Sequence, residues 1–396
     1  MNLIFVHPEF PSNFKNFCIA LHKDGVNVLG LGSASYDDLD PDLREALSEY
    51  YRVDDMRDYD QMFRAVAFFS FKYGKIDWIE SNADHWLDID AKLREDFNIK
   101  SGVQGNEVLR FRSKHEMKKF YLKGEIPTAR QEKLTDLAAA EKFVAEVGYP
   151  VIVKPDVGDT SRLTRKIENE KALKRFFEER PAGDFDIEQF LDGQVCSYDA
   201  ILDSVGEPLF ESETVWPSSL VKVMTEQLDL RYYVAAEVPE ELRKLGRRTT
   251  KAFGMKSRFV HLEFIRLAED YEGIGKKGDF AGLEVNMRPA GGYTTDMMNF
   301  AHSTDVYQIW ADMIALDARV LSCPKKDGYC VYAGRRDRYS YVHSDEEIRK
   351  RYQSKILMNT RMTGMFTHLL GNQMYAARFQ TKPEIDEFAD FVQKKR

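Results

Sequence analysis

The stretch AGLEVNMRPAGG, residues 281–292, carries three polar side chains of different chemistry at alternate positions. Successive side chains of an extended strand point to opposite faces, so Glu284, Asn286 and Arg288 are predicted to share one face. Carboxylate and amide oxygens are ligands that Mg²⁺ accepts, and a guanidinium stabilises charge on a phosphoryl group. The small residues of the turn at 289–292 let a ligand approach the backbone.

A second polar strand, FVHLEF, repeats the alternation and places His261 and Glu263 on one face. If it lies beside the first strand, Glu263, Glu284 and Asn286 form one metal site. The alternative is a solvated face of an antiparallel sheet, with which the abrupt small-residue turn fits poorly. His261 is interpreted as a hydrogen-bonded structural group.

A lysine follows a third apolar run, VIVKP, where Lys154 precedes the turn DVGDTSR. Lys154 and Ser161 suit a phosphate site there, and a surface lysine at a strand end is the alternative. The stretch GIGKKG, 273–278, matches a dinucleotide fingerprint, but a strand follows it where a helix is needed. We interpret it as a hairpin loop.

The predicted strands and helices that carry these residues fall into five segments of the chain. Strand and helix signals alternate over residues 1–103, which predicts a parallel α/β domain. A helical connection is predicted over 104–127 and a compact β-α-β-α-β unit, a mobile lid, over 128–191. Strands dominate 192–320, which predicts a core with a mixed or antiparallel sheet, and an α/β segment fills 321–396. The fold class is therefore α/β combined with α+β.

Composition argues against several classes of protein. A chain of 396 residues is long enough for two or three domains, and its net charge of −8 argues against a nucleic-acid or membrane-surface binder. The four cysteines form no CxxC pair, which fits a reducing cytoplasm. No apolar run is long enough to span a membrane. A cytoplasmic, enzyme-sized protein is expected.

The order of the motifs is more specific than any one of them. Lys114, Pro127, GYPVIVKP, IEQFLDG, HLEF and LEVNMRPAGG follow one another along the chain. This series resembles the ATP-grasp superfamily over roughly residues 104–320, with its carboxylate–amine ligase branch as the nearest likeness. The layout is also similar to biotin carboxylase and to the carbamoyl-phosphate synthase large chain.

The resemblance implies roles for particular residues. Lys114 and Lys154 match the two lysines that contact ATP phosphates, and Arg288 matches the arginine that stabilises the transferring phosphate. The matching magnesium ligands are Glu263, Glu284 and Asn286. The strand that reads the adenine edge corresponds to Glu188, Gln189 and Leu191, the last two through their backbone.

Two departures from the family pattern concern nucleotide binding. The DVGDTSR turn is less rich in glycine than its counterpart in biotin carboxylase. The acidic residue expected seven positions after Glu188 is Val195, so the ribose contact is assigned to Asp199.

The implied activity is an ATP-dependent ligase that joins a small-molecule carboxylate to an amine through an acyl phosphate. The expected cofactors are ATP and one or two Mg²⁺ ions, with Mn²⁺ as a substitute. Arg335 and Arg231 are candidate carboxylate anchors, and exposed salt-bridge arginines are the alternative. The sequence specifies neither the substrates nor the oligomeric state, and a homodimer is compatible with it.

Two rival functions remain. A bicarbonate-activating carboxylase-type enzyme shares this layout, although no AMKM-like biotin-attachment stretch occurs in the chain. The other rival is a catalytically silent ATP-binding protein, against which the intact series Glu284, Asn286 and Arg288 argues.

Overall fold

The structure is a computed structural model of the chain. It describes residues 1–158, 163–218, 220–321, 327–362, 364 and 367–396. Three sheets organise these residues; one large apolar core is shared by the first and third sheets, and the second sheet has a core of its own.

The first sheet is parallel, with the strand order β3-β2-β1-β4. Its strands are β1 (Asn2–Val6), β2 (Asn27–Gly32), β3 (Glu49–Arg52) and β4 (Trp78–Glu80). The helices that cover it are α1 (Lys15–Lys23), α2 (Pro41–Ala46), α3 (Tyr59–Tyr73) and α4 (Leu87–Asp96). After the exposed Asn27, the run VLGLG of β2 is apolar and buried because helices cover both faces of the sheet.

The second sheet is antiparallel, with the order β5-β8-β6-β7. Two helices precede it, α5 (Leu109–Arg112) and α6 (Lys114–Lys123). The unit itself consists of β5 (Gln131–Lys133), α7 (Leu137–Val147), β6 (Val151–Pro155), β7 (Arg165–Ile167), α8 (Glu170–Glu179) and β8 (Phe185–Gln189). Its helices bury one face of the sheet, which leaves the polar residues of β6 and β8 to face α6.

The third sheet has eight antiparallel strands in the order β13-β12-β9-β10-β11-β14-β16-β15. The strands are β9 (Gly193–Leu202), β10 (Pro208–Trp216), β11 (Arg231–Val234), β12 (Arg258–Leu267), β13 (Phe280–Asn286), β14 (Tyr329–Arg335), β15 (Ile356–Arg361) and β16 (Gln373–Phe379). The helices are α9 (Leu220–Thr225), α10 (Glu240–Phe253), α11 (Thr294–His302), α12 (Val306–Leu316), α13 (Asp345–Arg351), α14 (Thr367–Leu370) and α15 (Lys382–Gln393).

Several sequence predictions are confirmed. The first sheet is parallel and the strand-rich part is antiparallel, whereas the compact unit has one strand more than predicted, β7 between β6 and α8. The GIGKKG stretch is a loop between β12 and β13 that a Tyr271–Gly275 bridge closes. The division into five segments stays a prediction. No helix among the described residues is long and apolar enough to cross a membrane.

A buried ionic cluster fixes the first sheet against the third. Glu80, at the end of β4, accepts from Arg258 of β12 at 3.1 Å and lies 3.4 Å from Arg94 of α4. All three side chains are at most 2% exposed. Arg258 also donates to the carbonyl of Met287, just before Arg288. The loop that follows β4 is thereby held over the end of β13.

Candidate active site

The floor of the candidate site is the β12–β13 pair. Antiparallel pairing sets His261 opposite Asn286 and Glu263 opposite Glu284. Side chains directly opposite each other on one face lie about 4.5–5.5 Å apart at Cβ. Their neighbours Leu262 and Val285 point to the other face and are fully buried there. The structure thus brings the two predicted acidic strands together.

In each of the three proposed metal ligands, one polar side-chain atom contacts another group of the protein. Asn286 Nδ2 donates to the backbone carbonyl of His261 at 3.3 Å, which turns the amide oxygen Oδ1 away from that anchor. Glu263 Oε1 lies 3.2 Å from His261 Nε2, and Glu284 Oε1 lies 3.2 Å from Lys114 Nζ. Within the described ranges, Oδ1 of Asn286 and Oε2 of both glutamates accept no hydrogen bond.

This donor set fits Mg²⁺ better than a cation that needs a complete protein cage. No three His, Cys, Asp or Glu side chains of the described residues converge on one metal position. Mg²⁺ is commonly held by one or two carboxylates, with waters and substrate phosphates as its other ligands. Two carboxylates and one amide oxygen would therefore suffice.

Asp199 is not available for a ribose contact. Its side chain is fully buried, and Oδ1 lies 2.6 Å from His261 Nδ1. Its other oxygen accepts from Ser197 at 2.6 Å and from Thr214 at 3.0 Å. The ribose assignment is therefore wrong, because Asp199 is the buried partner of a histidine. Burial alone would lower the pKa of His261, but Asp199 and Glu263 raise that pKa to about 9.

Three lysines approach the same space from two elements. Lys114 and Lys118 lie one turn apart on α6, and Lys154 is the last residue but one of β6. Glu188 of β8 accepts from Lys118 at 2.6 Å and from Lys154 at 2.5 Å. Burial would raise the pKa of Glu188, but the two ammonium groups hold it at about 2. Glu284 pairs with Lys114 and connects this lysine group to the floor.

The pKa values of the two lysines beside Glu188 shift in opposite directions. Burial lowers the pKa of Lys118, and the like charge of Lys154 adds to this effect. Burial would also lower the pKa of Lys154, but attraction to Glu188 and Glu284 raises it above its usual value. One carboxylate thus serves two cations, and the group retains a net positive charge that suits an anionic ligand.

Lys118 also ties the antiparallel unit to the core. Its ammonium donates to Thr128 Oγ1 at 2.6 Å and to the Ala129 carbonyl at 3.1 Å. Thr128 in turn donates to the carbonyl of Gly282 on β13. Sequence reasoning missed Lys118, although its spacing of four residues from Lys114 places both on one helix face.

Asp156 connects the turn after β6 to α6. Its carboxylate accepts from Ser113 Oγ at 2.8 Å and from the His115 amide at 2.9 Å, at the start of the helix. Burial and the charge of Asp156 raise the pKa of the adjacent Asp186 to about 7. Ser161, predicted as a phosphate contact in this turn, lies outside the described residues.

The segment after β8 offers a backbone edge for a base. Gln189 N donates to the carbonyl of Arg130 at 2.9 Å. In the described part of the chain, the backbone N–H and C=O of Leu191 make no hydrogen bond. The Leu191 side chain joins a small apolar cluster with Ala129 and Leu267. A flat heterocycle that needs one donor and one acceptor suits this position.

Arg288 lies where the first sheet meets the floor. Its Nε donates to Asp84 Oδ2 at 2.5 Å, and its NH1 donates to the carbonyl of Pro289 at 2.8 Å. Asp84 is the first residue of a short 3-10 helix after β4 and was not predicted. A Cβ added at Gly291 would meet no described atom within 4 Å, so the backbone there borders open space. That space is available to a second ligand.

Arg231 and Arg335 lie on the opposite face of the third sheet. The residues paired in turn with Glu284 across β12, β9 and β10 lead to Val234 on β11. Val234 and Tyr232 therefore share the face of Glu284, whereas Arg231 points to the other face. Helix α15 holds both arginines: Arg231 pairs with Asp390, and Arg335 donates to the carbonyl of Val392. The assignment of both as carboxylate anchors is therefore wrong.

No family model matches the chain, but solved structures do. An L-amino acid ligase from Bacillus licheniformis matches with a TM-score of 0.71 at 16% identity, over 100% of this chain and 98% of that chain. Phosphoribosylglycinamide synthetase from Anaerococcus prevotii matches with a TM-score of 0.70 at 14% identity, over 99% and 97%. The biotin carboxylase domain of Hydrogenobacter thermophilus 2-oxoglutarate carboxylase, solved with MgADP and bicarbonate, matches with a TM-score of 0.68 at 14% identity, over 100% and 90%.

These three proteins are ATP-grasp enzymes, and the likeness extends over the whole chain. The chain has the ATP-grasp fold, which confirms the fold predicted from the motif order. At these identities the likeness concerns the fold, and the activity must be argued from the site.

Proposed function

We propose that the protein is an ATP-dependent ligase that joins a carboxylate to an amine and releases ADP and phosphate. The observation that carries this proposal is the convergence of three lysines with the oxygen donors of the β12–β13 floor and with Arg288. Such a set of charges suits a metal-bound triphosphate beside an open cleft. Both the L-amino acid ligase and the phosphoribosylglycinamide synthetase share the fold.

In this proposal the nucleotide lies between the antiparallel unit and the floor. Leu191 offers its backbone to the base, and Lys114 and Lys154 turn from Glu284 and Glu188 to the phosphates. Lys118 stays with Glu188, so this buried carboxylate keeps a cation after Lys154 has moved. The exchange of partners avoids an unpaired buried charge.

Glu263, Glu284 and Asn286 would hold the divalent cation. When bound, Mg²⁺ neutralises charge on the phosphate oxygens. Glu284 would release Lys114 as the cation binds, since both need the same carboxylate. The residues of the floor therefore carry out positioning and charge compensation, which is most of what phosphoryl transfer asks of a protein.

The chemical steps follow from the open space beside Arg288. A substrate carboxylate oxygen attacks the γ-phosphorus, the bond to the β-phosphate oxygen breaks, and ADP leaves. Arg288, oriented by Asp84, stabilises the charge on the transferred group. An amine then attacks the acyl carbon, phosphate departs with the electron pair, and the amine loses a proton. Closure of the antiparallel unit would exclude water from the acyl phosphate.

A bicarbonate-activating reaction is the second candidate, because the biotin carboxylase domain has the same fold. The two candidates differ in which acid the nucleotide activates. They therefore predict different co-substrates for the same site.

The test is phosphate release from Mg·ATP with separate pools of amino acids, other small carboxylates, and bicarbonate. Products are analysed by mass spectrometry for a condensation with loss of water. Release that requires a carboxylate pool and gives a new amide supports the ligase. Release that requires only bicarbonate supports the second candidate, and tight nucleotide binding without release under any pool contradicts both.

A further inference from the structure

A carboxylate, an imidazole and a second carboxylate form a line along the floor of the site, on the same face as the proposed metal ligands. Asp199 Oδ1 lies 2.6 Å from His261 Nδ1, and His261 Nε2 lies 3.2 Å from Glu263 Oε1. The imidazole is 3% exposed and Asp199 is not exposed at all. The line begins in β9 and ends at a proposed metal ligand on β12.

The buried end of this line is held rigidly. Asp199 Oδ2 accepts from Ser197 at 2.6 Å and from Thr214 at 3.0 Å, so both oxygens are engaged. The indole of Trp216 packs edge-on against the imidazole, with ring centroids 5.8 Å apart. The orientation of the ring is therefore fixed from three neighbouring strands.

The partners of His261 define what it donates. Both ring nitrogens face carboxylate oxygens, which act as acceptors when ionised. The arrangement therefore uses an N–H on each nitrogen, one towards Asp199 and one towards Glu263. Oε1 of Glu263 is occupied by this bond, whereas Oε2 remains available.

We propose that Asp199 and His261 are positioning residues that fix Glu263 so that one chosen oxygen, Oε2, binds the divalent cation. This inference rests on the proposed function, since it requires the metal site on the floor. Partners of this kind, one bond removed from the cation, orient the ligating group and tune the affinity of the site. Neither residue touches the cation or the nucleotide.

The same arrangement explains how the floor tolerates two opposed acids. Glu263 and Glu284 face each other across the strands, and like charges in such a pair repel. Each acid has its own polar partner: His261 stays with Glu263, while Lys114 lies against Glu284. Because Asp199 on the neighbouring strand anchors His261, the imidazole remains in place when Lys114 moves to a phosphate.

A second histidine, His302, whose side chain is 11% exposed, provides a matched control. His302 lies 3.0 Å from Ser212 Oγ and 3.2 Å from Asp327 Oδ1, so it also bridges two polar partners. It belongs to α11 and contacts none of the proposed ligands. Loss of His302 should therefore affect stability without affecting metal binding.

The experiment measures Mn²⁺ affinity by electron paramagnetic resonance, with ADP present and without turnover. We expect His261→Leu to weaken Mn²⁺ binding about 10- to 100-fold, the range typical of such partners. His261→Gln, which keeps one donor nitrogen, should restore part of the affinity. His302→Leu should bind Mn²⁺ as the wild type does, even if its melting temperature falls as far.

Asp199→Asn provides an independent variant, because it keeps the shape of the buried end but removes its charge. It should also weaken Mn²⁺ binding although Asp199 does not contact Glu263. Wild-type affinity in folded His261→Leu or Asp199→Asn protein overturns the inference. If Glu284→Ala binds Mn²⁺ as tightly as the wild type does, the metal site itself is overturned, and with it the proposed function.

Discussion

Replacing Lys118 with methionine should weaken nucleotide binding, although Lys118 is not proposed to touch the nucleotide. Its ammonium donates to Glu188, Thr128 and the carbonyl of Ala129, at 2.6, 2.6 and 3.1 Å. Methionine keeps most of the volume of the side chain but none of these bonds. Before the nucleotide binds, Lys154 still pairs with Glu188 in the variant.

The cost appears when Lys154 turns to a phosphate. Glu188, 4% exposed, would then have no cation beside it. An uncompensated buried charge costs about 3–5 kcal/mol. We use the lower value because Lys154 stays near Glu188 even after it has turned to a phosphate of the ligand. About 3 kcal/mol corresponds to a loss of about 100-fold in affinity, at 1.4 kcal/mol for each factor of ten.

Titration calorimetry with a non-hydrolysable Mg·ATP analogue measures this loss. The matched control is Lys119→Met, which removes the adjacent, exposed lysine and its ion pair with Glu116. Exposed pairs of this kind contribute at most about 1 kcal/mol to stability, so the control should bind as the wild type does. If Lys118→Met binds within about threefold of the control, the partner exchange at Glu188 is refuted.

Two further predictions concern the pH dependence of stability and the orientation of Arg288. Lys118 and Lys154 hold the pKa of Glu188 at about 2, below the value of about 4.3 expected for unfolded chains. The contribution of the Glu188 carboxylate to stability is therefore complete above about pH 4.3 and is lost as the pH falls towards 2. Urea unfolding of Glu188→Gln should therefore depend less on pH over this range than that of the wild type. Asp84→Asn, which weakens the bond that orients Arg288, should lower kcat up to about 100-fold while Mg·ATP affinity stays constant, and a parallel loss of both would contradict the assigned role.

The local patterns of the chain predicted the floor of the site well. Alternation in FVHLEF and LEVN placed Glu263, Glu284 and Asn286 on one face, as the β12–β13 register has them, because successive side chains of a strand point to opposite faces. The position of Lys154 at a strand end was equally local. These features depend on residues close in sequence, so the sequence alone specifies them.

What the sequence did not predict depends on pairing between distant segments. Asp84 meets Arg288 across 204 positions, through the docking of two sheets that no local pattern describes. Asp199 was misassigned because its burial becomes evident only when β9 lies between β10 and β12. The faces of Arg231 and Arg335 likewise follow from a register that runs across the whole third sheet.

The most direct test of the central claim is phosphate release by Glu284→Ala beside the wild type, with the co-substrate pool that the wild type requires. Glu284 is the point where the floor, Lys114 and the proposed cation meet. The matched control is Glu211→Ala, which removes a carboxylate from the opposite face of the same sheet. We expect Glu284→Ala to remain folded and to release no phosphate above background, while Glu211→Ala keeps its activity. Normal release by folded Glu284→Ala would rule out the metal site on the β12–β13 floor.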